Sequence, residues 1–141
     1  MKQELVKDWM STNLITIRPY TSLSEAHRLM TDYKIRRLPV LDNKKLMGIV
    51  TRGDIRGAEP SGATSLSIWE LNYIIARLRI QDIMTENPIT IKDTATIEQA
   101  AKIMLDKKVS GLPVIGSDGS MVGIITESDI FRLVVKAWHT D

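Results

Sequence analysis

MSTNLITIRPYTSLSEAHRLMTDYKIRRLPV (residues 10–40) is written again, in altered form, as MTENPITIKDTATIEQAAKIMLDKKVSGLPV (residues 84–114). The offset is a constant 74 residues, and 12 of the 31 aligned positions are identical. One extra residue in the second copy moves the offset to 75, where GIVTRGDI (48–55) meets GIITESDI (123–130). An internal repeat of this kind is one supersecondary unit used twice. A surface motif kept in both copies points to two related sites, or one site per half.

Each copy opens on a β-branched run, Ile15-Thr16-Ile17 and Ile89-Thr90-Ile91, which favours a strand. A helix start follows. Ser22-Leu23-Ser24-Glu25 and Thr96-Ile97-Glu98-Gln99 both place a hydroxyl three residues before Glu or Gln, the capping-box pattern. Behind it Leu23, Ala26, His27, Met30 and Tyr33, and then Ile97, Ala100, Ala101 and Met104, recur at helical spacing. His27 falls on this apolar face and is expected to pack in the core. Strands are expected over Arg37–Leu41 and Leu46–Val50, matched by Gly111–Ile115 and Met121–Ile125. The turn formers Asp42-Asn43 and Ser117-Asp118-Gly119 separate them. Thr-x-x-Asp then leads into a second helix.

The expected fold is α/β (α+β): two β-α-β-β-α repeats packed with approximate twofold symmetry, since neither copy alone buries much surface. The chain divides into repeat 1 with its N-terminal segment (1–57), a linker (58–78) and repeat 2 (79–141). The linker begins with a flexible connector, Gly57 to Ser65, and continues into an amphipathic helix at 68–78 opened by Ser67-Ile68-Trp69-Glu70. That helix is expected to pack on the module or at a subunit interface. Trp69 and Trp138 read as packing anchors.

With 141 residues, 43% hydrophobic and 26% charged, the chain reads as an ordinary globular protein. No apolar run approaches the roughly 20 residues of a membrane span, and the start has no signal-peptide core. A cytoplasmic location without a membrane partner is expected. Cysteine is absent, and two histidines, His27 and His139, make no metal cluster. The net charge of +2 conceals an asymmetry: residues 1–57 carry 11 Lys/Arg against 6 Asp/Glu, and residues 80–141 carry 6 against 9. Either this is drift on solvated faces, or the first half faces something anionic. The excess is too dispersed for a nucleic-acid partner.

Thr51-Arg52-Gly53-Asp54 and Thr126-Glu127-Ser128-Asp129 admit two readings. Both fit a helix cap, since Thr and Asp side chains satisfy free N–H groups. The same geometry presents donors to a phosphate and a carboxylate to ribose hydroxyls. Two copies after Gly-Ile-Val/Ile favour binding. Thr16 and Thr90 are either solvent-facing β-formers or hydroxyls at a cleft. Arg36 and Arg37 fit a helix end, or a phosphate clamp at the helix-to-strand turn. The second copy has Ser110-Gly111 there, so two sites would not be equivalent. No nucleophile–base pair, carboxylate cluster or glycine-rich phosphate loop appears, so no enzyme is expected and no catalytic residue is assigned.

These residues together resemble a tandem pair of cystathionine-β-synthase (CBS) domains, a Bateman module, over about 5–57 and 79–137. The carriers are Asp8-Trp9-Met10 and Asp82-Ile83-Met84, the two Ile-Thr-Ile runs, Arg-Leu-Pro-Val and Gly-Leu-Pro-Val, and the two Gly-Ile-Val/Ile-Thr-x-x-Asp motifs. The insert with its helix is similar to stand-alone CBS proteins of the acetoin-utilisation type. The resemblance implies a regulatory module with no required cofactor. It would bind AMP, ADP, ATP or S-adenosylmethionine in clefts between the repeats, and signal as a homodimer to a protein partner in trans. It implies that Ile15, Thr16, Ile89 and Thr90 line the nucleoside pocket and that Asp54 and Asp129 hold the ribose. Thr51, Thr126 and Ser128 would meet phosphates, as would Arg36 and Arg37. Ile35, Val109 and the segments to Pro39 and Pro113 would form the adenine walls. The alternative is a ligand-free structural dimerisation module in which both Thr-x-x-Asp motifs are only caps.

Overall fold

The computed structural model describes residues 3–58 and 67–139. From position 59 to 65, the expected flexible connector lies outside the described residues. The chain forms two compact units: a central one, Ile15–Pro88, and a terminal one built from Met1–Leu14 together with Ile89–Asp141. The fold is mixed α+β, with a three-stranded sheet in each unit.

In the central unit, helix α2 (Leu23–Tyr33) is capped by Ser22, whose hydroxyl accepts from the Glu25 N–H at 3.2 Å. It ends on Lys34, whose left-handed backbone (φ 55°) turns the chain into strand β1 (Arg37–Asp42). Strand β1 pairs antiparallel with β2 (Lys45–Thr51) through a two-residue loop. Both loop residues, Asn43 (φ 51°) and Lys44 (φ 68°), have positive φ, as the tight hairpin turn that matches strand twist requires. Helix α3 (Arg52–Ala58) follows directly. Beyond α4 (Ile68–Arg77) and the single turn α5 (Ile80–Ile83), strand β3 (Thr85–Glu86) pairs antiparallel with Gly48 and Ile49 of β2.

The terminal unit repeats the plan. α6 (Ile97–Lys107) is capped by a full Thr96–Gln99 box and ends on Lys108 at φ 56°. Strands β4 (Ile91–Lys92), β5 (Gly111–Ile115) and β6 (Met121–Thr126) form its sheet, and α7 (Glu127–Trp138) closes it. The extra residue of the second copy sits in its hairpin loop. There Asp118 Oδ1 accepts from the Ser120 N–H and hydroxyl at 3.0 and 2.7 Å.

The two repeats exchange leading segments. The turn α1 (Val6–Trp9) precedes repeat 1 yet sends Val6 into the terminal core. α5 precedes repeat 2 yet sends Ile80 into the central core; both side chains are fully buried. Six pairs of other core members correspond by the repeat offset: Ile17 and Ile91, Ala26 and Ala100, Met30 and Met104, Leu38 and Leu112, Val40 and Val114, Val50 and Ile125. Ser11 bridges Ile124 of β6 as Thr85 pairs with Ile49 of β2. The sequence boundaries 1–57 and 79–141 follow the duplication, whereas the compact units follow this exchange.

The exchange needs a bare backbone in the receiving strands. A Cβ on Gly48 would stand 2.7 Å from the Thr85 carbonyl oxygen, and one on Gly123 would stand 2.9 Å from that of Ser11. Both approaches are shorter than real side-chain contacts tolerate.

Several expectations are corrected. The first strand of each copy is shorter than its β-branched run: only Ile17 bridges Val40, and β4 begins at Ile91. The backbone before each of these residues makes no ladder, because only the third residue of the run is buried. His27 and Tyr33 are exposed, since the buried stripe of α2 is narrower (Leu23, Ala26, Met30). Trp69 and Trp138 are 79% and 78% exposed and belong to neither hydrophobic core among the described residues. Helix α4 carries the full Ser67–Glu70 box, with Leu71 and Ile75 half-buried and no residue fully buried.

Candidate functional site

Parallel pairing brings the site together. The Ile17 N–H donates to the Pro39 carbonyl (3.0 Å) and the Leu41 N–H to the Ile17 carbonyl (2.8 Å), so residues 15–17 run alongside β1 in its own direction. β2 runs oppositely, with Thr51 opposite Arg37. Ile15, Thr16, Ile35, Arg36, Arg37, Thr51 and Asp54 therefore gather at one end of the central sheet, where β1 starts and β2 finishes. Pro39 is buried further along β1. The terminal unit collects Ile89, Thr90, Val109, Thr126, Ser128 and Asp129 in the same way, because Ile91 lies parallel to Val114 and Gly111 opposes Thr126. Pro113 is likewise fully buried.

Both Thr-x-x-Asp motifs make helix caps. The Thr51 N–H donates to Asp54 Oδ2 (2.8 Å), and the Asp54 N–H donates back to the Thr51 hydroxyl (3.1 Å). Asp129 Oδ2 likewise accepts from the Thr126 N–H (2.8 Å) and hydroxyl (3.1 Å). The aspartates then differ. Asp129 is 7% exposed, and its Oδ1 accepts from Arg132 at 3.2 Å. Asp54 is half-buried, and among the described residues its Oδ1 has no partner. Among the described residues, the central aspartate thus has one carboxylate oxygen without a partner, whereas both oxygens of Asp129 are engaged.

A backbone bond couples each helix-to-strand turn to the following helix. The Arg52 N–H donates to the Arg36 carbonyl (2.9 Å), and the Glu127 N–H to the Ser110 carbonyl (3.1 Å). The same scaffold thus sets two arginines side by side in one unit, and a serine beside a glutamate in the other.

The central unit has a groove of about 620 Å³ between α2 and α3, within the size range of small-molecule sites. His27, Thr31 and Lys34 line it from one helix, Arg52, Ile55 and Arg56 from the other, and Arg36 from the turn. Of the residues expected from sequence at the ligand site, only Arg36 belongs to it. The signal for the rest lay in helical spacing. Residues 27, 31 and 34 are four and three apart, and 52 and 56 are four apart, so each set shares a helix face. In the terminal unit a groove of about 440 Å³ lies between α6 and α7. Ala101, Ile130, Leu133 and Val134 line it, with Glu4 and Glu98. Among the described residues, no group of three or more His, Cys, Asp or Glu could hold a metal ion. No helix of the described residues is long and apolar enough to cross a membrane.

The CBS-domain family profile matches residues 6–61 and 80–136. The chain is 37% identical over 133 residues to a CBS domain-containing protein of Dictyostelium discoideum, covering 94% of this chain and 92% of that protein. It is 38% identical over 119 residues to an inosine-5'-monophosphate dehydrogenase of Korarchaeum cryptofilum, spanning 84% of this chain but only 22% of that enzyme. Among solved structures, CBSX2 of Arabidopsis thaliana in complex with AMP aligns with a TM-score of 0.80 at 29% identity, over 95% of this chain and 98% of that one. The CBS domain pair of protein MJ0100, in complex with 5'-methylthioadenosine and S-adenosyl-L-methionine, aligns with a TM-score of 0.76 at 32% identity, over 96% and 99%. The protein assigned to acetoin utilization (AcuB) from Vibrio cholerae aligns at 0.79 and 27%, over 98% and 95%. With both halves matched and both sheets built alike, the chain belongs to the CBS-domain family and carries two CBS domains in tandem.

Proposed function

We propose that this protein is a regulatory module that binds an adenosine-bearing ligand, AMP, ADP, ATP or S-adenosylmethionine, and acts as a cytoplasmic homodimer on a protein partner in trans, without catalysing a reaction. The observation that carries this reading is the Asp54 carboxylate. One oxygen is committed to the helix cap, and the other has no partner among the described residues, at the sheet end where Thr16, Arg36 and Arg37 gather. A carboxylate oxygen there accepts a ribose hydroxyl, and arginine forks match phosphate oxygens. The AMP held by CBSX2 and the adenosine compounds held by MJ0100 support the ligand class. The central unit is the principal site. Ligand binding shifts the module between arrangements only by the difference in its affinity for them.

A second reading, a ligand-free dimerisation unit, draws on the terminal unit, where Asp129 has both oxygens engaged by the cap and Arg132. Thermal shift with AMP, ADP, ATP and S-adenosylmethionine separates the two. A ligand at 100 times its Kd adds about 2.7 kcal/mol of stability. The first reading expects one of the four to raise Tm, and Asp54→Ala to abolish the rise. A dimer by light scattering that responds to none of them would establish the second.

A further inference from the structure

We infer that the α2–α3 groove of the central unit is a binding site for a phosphate chain of two or more phosphates, carried by a nucleotide or free in inorganic form. The inference deepens the reading above through the shared Arg36, but most of its residues lie outside the adenosine site.

Lys34, Arg36, Arg52 and Arg56 bring four fixed positive charges to one groove, with the exposed imidazole of His27 and hydroxyl of Thr31 as further hydrogen-bonding groups. Among the described residues, no carboxylate lines it. Among the described residues, none of the four cations makes an ion pair, although Arg28 on the same helix pairs with both Glu25 and Asp32. Clustered cations repel one another, and a polyanion relieves that repulsion. Bidentate arginine contacts suit phosphate oxygens, and four charges match two or three linked phosphates better than one.

The duplication provides an internal control. By the repeat offset, His27, Thr31, Arg36, Arg52 and Arg56 correspond to Ala101, Leu105, Ser110, Glu127 and Phe131, while Lys34 corresponds to Lys108. The scaffold positions are therefore common to both units, yet the charge falls from four cations to one lysine against one glutamate. A solvated helix face has no need of such a concentration. The groove also accounts for much of the basic excess of residues 1–57. S-Adenosylmethionine, with its sulfonium, gains nothing from this groove.

The test is titration calorimetry at constant ionic strength with inorganic tripolyphosphate, ATP, AMP and sulfate. It uses wild type, Arg52→Gln/Arg56→Gln and Asp54→Ala. Arg52 and Arg56 are exposed, so the double variant folds; circular dichroism checks this, and Lys34→Gln serves as a second probe. We expect tripolyphosphate or ATP to bind at least 10-fold tighter than sulfate. The double variant should lose 10-fold or more of that affinity while AMP changes less than twofold. Loss for both ligands means a chain from either source is accepted; loss for ATP alone makes the nucleotide the source. Sulfate-like affinity for both, or affinities unmoved by the arginine substitutions, would overturn the inference. Arginine-dependent tripolyphosphate binding with no response to AMP, ATP or S-adenosylmethionine would leave the groove standing and sink the adenosine reading. Nucleotide binding that depends on Asp54 but not on Arg52 and Arg56 would do the reverse.

Discussion

Replacing Gly48 by alanine adds a single methyl group to β2 where β3 crosses it. That carbon would sit 2.7 Å from the Thr85 carbonyl oxygen and 2.8 Å from Met84 Sδ. The methionine can swing aside, but the carbonyl belongs to backbone fixed by pairing of Thr85 with Ile49 and Glu86 with Gly48. Relief requires β3 to move outward, which loosens Met84 and Ile83 against the central core. Overpacking of this kind costs about 1–3 kcal/mol, lowering Tm by roughly 3–12 °C for a chain of this size. Gly57→Ala is the matched control. Gly57 lies in α3, and a Cβ there meets nothing within 4 Å. The same methyl should therefore stabilise, by about 0.5–1 kcal/mol, through helix propensity and a less flexible unfolded chain. Scanning calorimetry of both variants reads opposite signs. A neutral or stabilising Gly48→Ala would refute the claim that this exchange is closed by backbone contact.

Burial sets a second contrast. Ile80→Ala, at a fully buried position, should cost about 2–5 kcal/mol in urea titrations, whereas Ile68→Ala, at 69% exposure, should stay within about 0.5 kcal/mol. Asp54→Ala removes one cap and should cost about 1 kcal/mol without ligand; Asp129→Ala also loses Arg132 and should cost slightly more, and equal losses would count against the difference drawn between the two caps. On α2, the hydrogen bond from Arg28 holds the Glu25 carboxyl below the usual glutamate range. Because the folded-state value is depressed, the pair's contribution is present above the ordinary glutamate pKa and fades as pH falls through the lowered one. NMR titration of Glu25 should show this midpoint rising in Arg28→Gln; an unchanged midpoint would exclude the arginine as the cause.

Much of the fold is legible in the chain because local signals agree with the final packing. The Ser22 and Thr96 caps, the second-strand hairpins and the Leu-Pro-Val strands stand where the repeat puts them. The exchange of leading segments was not legible. It rests on pairings between two-residue strands and single bridges, and on Val6 and Ile80, whose four-residue helices are too short to carry periodicity. His27 was misread because spacing fixes which residues share a stripe but not how wide the buried stripe is. The tryptophans were misread because size argues for burial only where a partner surface exists. At the candidate site, Thr51 and Asp54 stand out in the sequence through the repeated Thr-x-x-Asp motif, and Arg36 through the basic stretch Lys34-Ile35-Arg36-Arg37. Arg52 and Arg56 do not stand out there, because a repeated motif compares what the copies share, while these two positions differ between them.

The reciprocal placement of Val6 and Ile80 has a consequence for ancestry and engineering alike. A single copy, released by cutting the chain between repeats, carries away the plug of its sister and leaves its own socket open. Two identical half-length chains could satisfy each other by trading plugs, which is how such a unit can begin as a pair of separate molecules. Once the copies are fused, the core of each half depends on the segment that leads the other.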